Sequence, residues 1–139
     1  MTQIPRFFLL SLAAAALNGC ATPAEMRMRP PELEVKSTFP SKSVSMCIAD
    51  RWENAGPFGG TIPVNMRPID EGYSVSWRNE IYGHTGMLVD VKDTLDGSLT
   101  RYFKNMVIGE GAFDQIVIDC QDPTKKTAES ADARLRRTK

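Results

Sequence analysis

The clearest pattern of apolar and polar positions lies near the middle of the chain. Tyr73, Val75 and Trp77 alternate with serines and an arginine. A period of two places these three side chains on one face of an extended segment, which is typical of a half-buried strand. The pattern therefore predicts a β-strand over residues 72–78.

Three further extended segments follow from the same reasoning. Apolar and polar residues alternate over 87–92 and again over 99–103. The Asp96-Gly97 dipeptide between them is a strong turn signal, so these two strands are predicted to form a hairpin. The proline-bounded segment 62–67 is predicted as a short edge strand, because proline cannot donate a hydrogen bond within a central ladder.

Helical spacing marks both ends of this strand-rich region. Val44, Cys47, Ile48 and Trp52 follow one another at intervals of three and four, after a proline and serines that favour a helix start, and predict a helix over 41–54.

The segment 111–120 has two interpretations. Helical spacing is seen for Phe113, Ile116, Val117 and Cys120. The run 116–118, in contrast, has the composition of a strand. We favour the helix. The predicted fold class is then α+β, with a small antiparallel sheet of three to four strands packed by an N-terminal and a C-terminal helix.

The N-terminus has the features of a secretory signal. Arg6 precedes an apolar run over 7–17. Crossing the hydrocarbon core of a membrane takes roughly 20 apolar residues, so this run is too short to span it and is predicted to be removed.

The end of that run resembles the lipobox of bacterial lipoproteins, because Leu17, Asn18 and Gly19 lead directly to Cys20. The resemblance covers only the first twenty residues. It implies that signal peptidase cuts before Cys20, which then carries the acyl chains. Ala21 stands where aspartate marks retention in the inner membrane. The resemblance therefore implies anchoring in the outer membrane, facing the periplasm.

With Cys20 assigned to the lipid, two of the three cysteines remain, Cys47 and Cys120. An even remainder in an oxidising compartment favours a disulfide, which would join the two predicted helices. A pair of reduced, redox-active cysteines is the alternative, although the sequence has no C-x-x-C spacing to support it. A metal site is disfavoured because His84 is the only histidine.

These features divide the chain into four segments. Residues 1–19 are the predicted signal peptide, and 20–40 a lipidated, proline-rich tether with a reach of roughly 25 Å. Residues 41–120 are the predicted globular domain. Residues 121–139 carry six basic and three acidic residues and are predicted to be a disordered tail.

The charge pattern bears on the partners of the chain. Seventeen basic residues balance seventeen acidic ones, which argues against non-specific binding of nucleic acid. The basic tail could contact anionic lipid or peptidoglycan, and its terminal Lys139 resembles the wall-linked end of the major outer-membrane lipoprotein. Plain solvation of the tail is the favoured interpretation.

Few residues suggest chemistry. Asp90, Asp93 and Asp96 surround a turn but lack the spacing of a calcium loop, so we expect no metal site. Trp77, Tyr102 and His84 are the candidates for a binding groove, although core packing is the favoured role of the aromatic residues. There is no nucleophile motif beside the histidine, and no cofactor is expected.

We therefore expect a non-catalytic, membrane-anchored lipoprotein that binds a protein partner of the cell envelope. Two other functional classes stay open at this point. One is a structural or stress-related lipoprotein that contacts the cell wall, and the other is a small periplasmic enzyme or inhibitor.

Overall fold

The computed structural model describes residues 21–80, 83–105 and 111–124. Within them, one antiparallel sheet has the strand order β1-β5-β4-β3-β2, and helices lie on both of its faces. The elements in chain order are α1 (Pro23–Arg27), β1 (Leu33–Ser37), α2 (Ser41–Glu53), a single 3-10 turn (Pro57–Gly59), β2 (Val64–Ile69), β3 (Gly72–Arg78), β4 (Thr85–Thr94), β5 (Gly97–Lys104) and α3 (Ala112–Asp119).

The α+β class is confirmed, but the sheet has five strands instead of the predicted three to four. The additional strand is β1, which lies inside the segment predicted as a tether. Leu33 pairs with Tyr102 and Val35 with Thr100 on β5, so the two apolar residues of β1 face the helices. Glu34 and Lys36, which alternate with these two residues, are exposed on the other side of the sheet, so β1 has a short period-two pattern.

The remaining strands agree with the sequence pattern to different degrees. β3 has the predicted bounds, and β4 and β5 form the predicted hairpin, each longer than expected. β2 begins and ends two residues later than predicted and contains Pro68. Because β2 is an edge strand with β3 as its neighbour, the missing amide of Pro68 is tolerated there.

Helix α2 covers one face of the sheet and supplies most of the main core. Val44, Ile48 and Trp52 are fully buried against β3, β4 and β5. The predicted serine cap is not formed, because the cap residue Pro40 has no side-chain donor or acceptor. Instead, the Ser41 amide donates to the Asp93 carboxylate over 3.0 Å, which ties the start of α2 to β4.

The predicted C-terminal helix is confirmed by α3, and the predicted disulfide joins Cys47 to Cys120. Phe113 packs edge-on against Trp52, with ring centroids 6.3 Å apart, and Val117 is fully buried. Helix α3 therefore extends the core that α2 forms, and the disulfide fixes the two helices to each other.

The short helix α1 covers part of the opposite face of the sheet. Met26 is 2% exposed and packs on Leu88 and Phe103 in a second apolar cluster. A capping box between Thr22 and Glu25 starts the helix, and the hydrogen bonds from Thr22 lower the pKa of the Glu25 carboxyl. Residues 21–27 therefore belong to the folded unit.

Candidate functional site

The three residues predicted to line a groove lie in different environments. Tyr102 is fully buried on β5, beneath the ring of Trp52 at a centroid distance of 5.9 Å. Trp77 lies on β3 at the edge of the same core and is half-buried. His84 lies in the connection before β4, where its carbonyl accepts the amide of Asn79. Because Tyr102 has no exposed surface, it belongs to the core and does not line an open groove.

Burial also determines the chemistry of Tyr102. Desolvation raises the pKa of its phenol well above the ordinary value, and the negative charge of Asp114 raises it further. The side chain is therefore neutral at every physiological pH. Its hydroxyl interacts with the Asp114 side chain, which contributes to the higher pKa, but no hydrogen bond of 3.5 Å or shorter reaches it among the described residues.

One cleft on the helix side of the sheet lies beside the disulfide. It lies between the end of β1 and the two helices and has a volume of about 460 Å³. We call it the disulfide cleft. Its lining residues are Lys36, Ser37, Thr38, Phe39, Cys47, Arg51, Ile118, Asp119, Gln121, Asp122 and Pro123.

Hydrogen bonds hold one wall of the disulfide cleft to the sheet. The Ser37 hydroxyl donates to the carbonyl of Gln121. The Thr100 hydroxyl donates to the Gln121 side-chain oxygen over 3.0 Å, and the Gln121 amide group donates to the Val117 carbonyl over 2.6 Å. The beginning of the predicted tail is therefore fixed against β1 and β5, and the cleft is pre-formed.

The other wall carries paired charges and an exposed apolar side chain. Arg51 on α2 forms an ion pair of 3.2 Å with Asp119 on α3, and its guanidinium also lies 3.9 Å from the Cys120 sulfur. Ile118 next to this pair is 45% exposed. The disulfide cleft therefore combines an apolar contact point with a polar rim, the composition of a protein-binding surface.

The aspartates considered for calcium have other roles in the structure. Asp90 binds Arg27, Asp93 accepts the Ser41 amide, and Asp96 lies in the turn of the β4–β5 hairpin. Within the described part of the chain, no group of three histidine, cysteine, aspartate or glutamate side chains is placed to hold a metal ion.

The sequence interpretation missed the contribution of the segment before α2. Arg27 reaches Asp90 and Ser74 across the sheet, and β1 forms one edge of the disulfide cleft. Two signals were present: Thr22 and Glu25 around Pro23 have capping-box spacing, and Leu33 to Lys36 alternate.

Three predicted features lie outside the described residues. These are the signal peptide, the lipidation site Cys20, and the tail from residue 125 to Lys139. In residues 21–80, 83–105 and 111–124, no helix is long and apolar enough to cross a membrane.

Comparison with known proteins yields no relative. No protein-family model matches the chain, and neither the curated proteins nor the solved structures contain a match.

Proposed function

We propose that this protein is an exported, lipid-anchored protein of the bacterial cell envelope, whose domain binds a protein partner and is not catalytic. The observation that supports the proposal is the disulfide between Cys47 and Cys120. Structural disulfides form and persist in oxidising compartments. This agrees with the lipobox-like end of the signal segment at Cys20, because export and acylation would bring the chain into such a compartment.

The disulfide cleft is the surface we assign to the partner. It adjoins β1, which is an edge strand with β5 as its neighbour in the sheet. The free edge of such a strand offers backbone groups to an added strand. An extended partner segment lying along β1 would place a side chain against Ile118, beside the Arg51–Asp119 pair. We therefore infer that the ligand is an extended segment with an apolar side chain among polar ones.

In-cell photo-crosslinking tests the partner site. A photoreactive amino acid replaces Ile118 in the full chain, and the control carries it at Leu95, which is fully exposed at the tip of the β4–β5 hairpin. We expect a discrete protein adduct from position 118 that the control does not form. The substitution Thr38→Trp, which fills the disulfide cleft, should abolish the adduct. Identical adducts from both positions, or none from position 118, would refute the assignment.

Intact mass spectrometry tests the anchor separately. The protein extracted from membranes should carry the mass of the acyl chains on Cys20, and a Cys20→Ala variant should leave the membrane fraction. An unmodified Cys20 in membrane-extracted protein would remove the anchored part of the proposal.

A further inference from the structure

The chain joins the folded unit directly after the proposed lipidation site. The Ala21 carbonyl accepts the Thr85 amide over 3.1 Å, and the Ala21 side chain packs on the cluster of Met26, Leu88 and Phe103. Cys20 is the preceding residue, and successive Cα atoms are about 3.8 Å apart. A lipid on Cys20 would thus be attached beside this face of the sheet, with no free linker between anchor and domain.

We call this surface the open sheet face, meaning the side of the sheet opposite α2 and α3. Helix α1 crosses it and separates two clefts of about 340 and 470 Å³. The basic residues that line the two clefts are Arg27, Arg67, Arg78, Lys92 and Arg101.

Two of these cations are already paired on the open sheet face. Arg27 is bound to Asp90, and Arg101 forms an ion pair of 2.7 Å with Glu34. The other three, on strands β2, β3 and β4, are exposed, although Arg78 also donates to the Gly83 carbonyl. The exposed carboxylates of Asp70 and Glu80 line the same two clefts, so the open sheet face presents a small excess of exposed positive charge next to the point where the chain emerges.

We propose that the domain lies flat on the membrane, with the open sheet face against anionic lipid headgroups. This inference rests on the proposed acylation of Cys20. Direct attachment at Ala21 leaves the domain little freedom to turn, and the exposed cations favour contact with anionic headgroups. The disulfide cleft, on the helix side of the sheet, then points away from the lipid and is accessible to a protein partner.

Fluorescence quenching in vesicles tests the orientation. The acylated full chain is reconstituted with phosphatidylethanolamine and phosphatidylglycerol, and a small fraction of the lipid carries a nitroxide on its headgroup. A fluorescent amino acid replaces Asn65, an exposed and uncharged residue on the open sheet face. The matched control replaces Met46, which is 55% exposed on the outer side of α2. We expect several-fold stronger quenching at position 65 than at position 46.

Equal quenching at the two positions, or stronger quenching at position 46, would overturn the orientation. The intact mass of the same sample separates this result from failure of the anchor. If Cys20 carries lipid and the contrast is missing, the orientation alone is wrong. If Cys20 carries no lipid, the proposed function and the orientation both fail.

A linker insertion tests the role of direct attachment. About 15 glycine and serine residues between Cys20 and Ala21 add a reach of roughly 20 Å. This insertion should reduce the quenching contrast between positions 65 and 46, whereas an unchanged contrast would contradict the argument from attachment. A photoreactive group at position 65 that links to protein instead of lipid would also overturn the proposal, because it would make this face a protein interface.

Discussion

Arg27 and Asp90 form a two-point ion pair that joins helix α1 to strand β4. The Arg27 Nε lies 2.6 Å from Asp90 Oδ2, and its Nη2 lies 2.8 Å from Oδ1 and donates to the Ser74 hydroxyl over 3.1 Å. The hydrogen bond to Asp90 raises the pKa of the Arg27 guanidinium. Because the Asp90 side chain is only 8% exposed, the two contacts from Arg27 offset the cost of burying it.

Removing the guanidinium should therefore destabilise the fold. We expect Arg27→Met to lower the free energy of unfolding by about 2 kcal/mol, less than for a fully buried pair because the Arg27 side chain is 32% exposed. Urea denaturation at neutral pH measures this change. The matched control is Arg101→Met, whose pair with Glu34 is about half exposed on both sides and should change stability by less than about 0.5 kcal/mol. Equal losses in the two variants would contradict the structural role of the Arg27–Asp90 pair.

Met26 and Met28 provide a second test of whether α1 belongs to the fold. Met26 is 2% exposed and Met28 is 85% exposed, although the two lie two positions apart. We expect Met26→Ala to lower the unfolding free energy by about 2 to 3 kcal/mol and Met28→Ala to have almost no effect. A thermal or urea unfolding series on both variants decides the question. If Met26→Ala were as mild as Met28→Ala, the segment would be the flexible tether that the proline content suggested.

Local pattern was sufficient to predict the main elements of the fold. The alternation of Tyr73, Val75 and Trp77 gave the bounds of β3, and the spacing of Val44, Ile48 and Trp52 gave the first long helix. Both segments are long enough for a period to repeat, and both bury the face that the period defines.

The segments that were missed are short or depend on distant partners. β1 has five residues, of which Leu33 and Val35 are its two apolar members, and prolines on both sides masked the alternation. The Arg27–Asp90 pair joins residues 63 positions apart, so no local pattern contains it. The disulfide cleft likewise forms only when β1, α2 and α3 come together, so no local pattern predicts it. The predicted groove was therefore assigned to Trp77, Tyr102 and His84 instead.

The disulfide should contribute a large share of the stability of this small domain. Cys47 and Cys120 are 73 positions apart. Loop-closure entropy for that length predicts that replacing both cysteines with alanine costs about 4 kcal/mol. Denaturation with and without reductant measures the loss. Reductant should destabilise the unmodified protein and leave the double variant unchanged, whereas equal sensitivity would indicate that another thiol reaction is responsible.

Gly97 allows β1 to pack closely against the β4–β5 hairpin. Its φ is +141°, and a Cβ at this position would lie within van der Waals overlap of the Ser37 carbonyl. We expect Gly97→Ala to cost about 2 kcal/mol or more, from backbone strain and from displacement of β1.

The control for this substitution is Gly59→Ala. Gly59 also has a positive φ, +77°, but a Cβ there would meet no atom within 4 Å, so its cost should be about 1 kcal/mol from strain alone. Amide hydrogen exchange of β1 gives the second readout. It should accelerate in Gly97→Ala and stay unchanged in Gly59→Ala, and slow exchange in both variants would show that β1 does not depend on the close approach.

Tyr102 should make the protein lose stability at alkaline pH. Its pKa in the folded state is raised above the ordinary value of 10.0, mainly by burial and then by the charge of Asp114. Above pH 10 the unfolded chain releases the phenol proton while the folded protein keeps it, so the unfolded state is favoured by about 1.4 kcal/mol per pH unit. The stabilising effect of the neutral phenol is complete below pH 10 and is lost as the pH rises.

The substitution Tyr102→Phe isolates this contribution from the other two tyrosines. Because no hydrogen bond of 3.5 Å or shorter reaches the Tyr102 hydroxyl among the described residues, its removal breaks no strong contact, and the variant should be nearly as stable as the unmodified protein at pH 7. It should be more stable at pH 11, by about 1 kcal/mol. Urea denaturation at the two pH values provides the comparison. A difference that is the same at both pH values would mean that Tyr102 ionises as easily in the folded protein as in the unfolded chain, which its burial beneath Trp52 argues against.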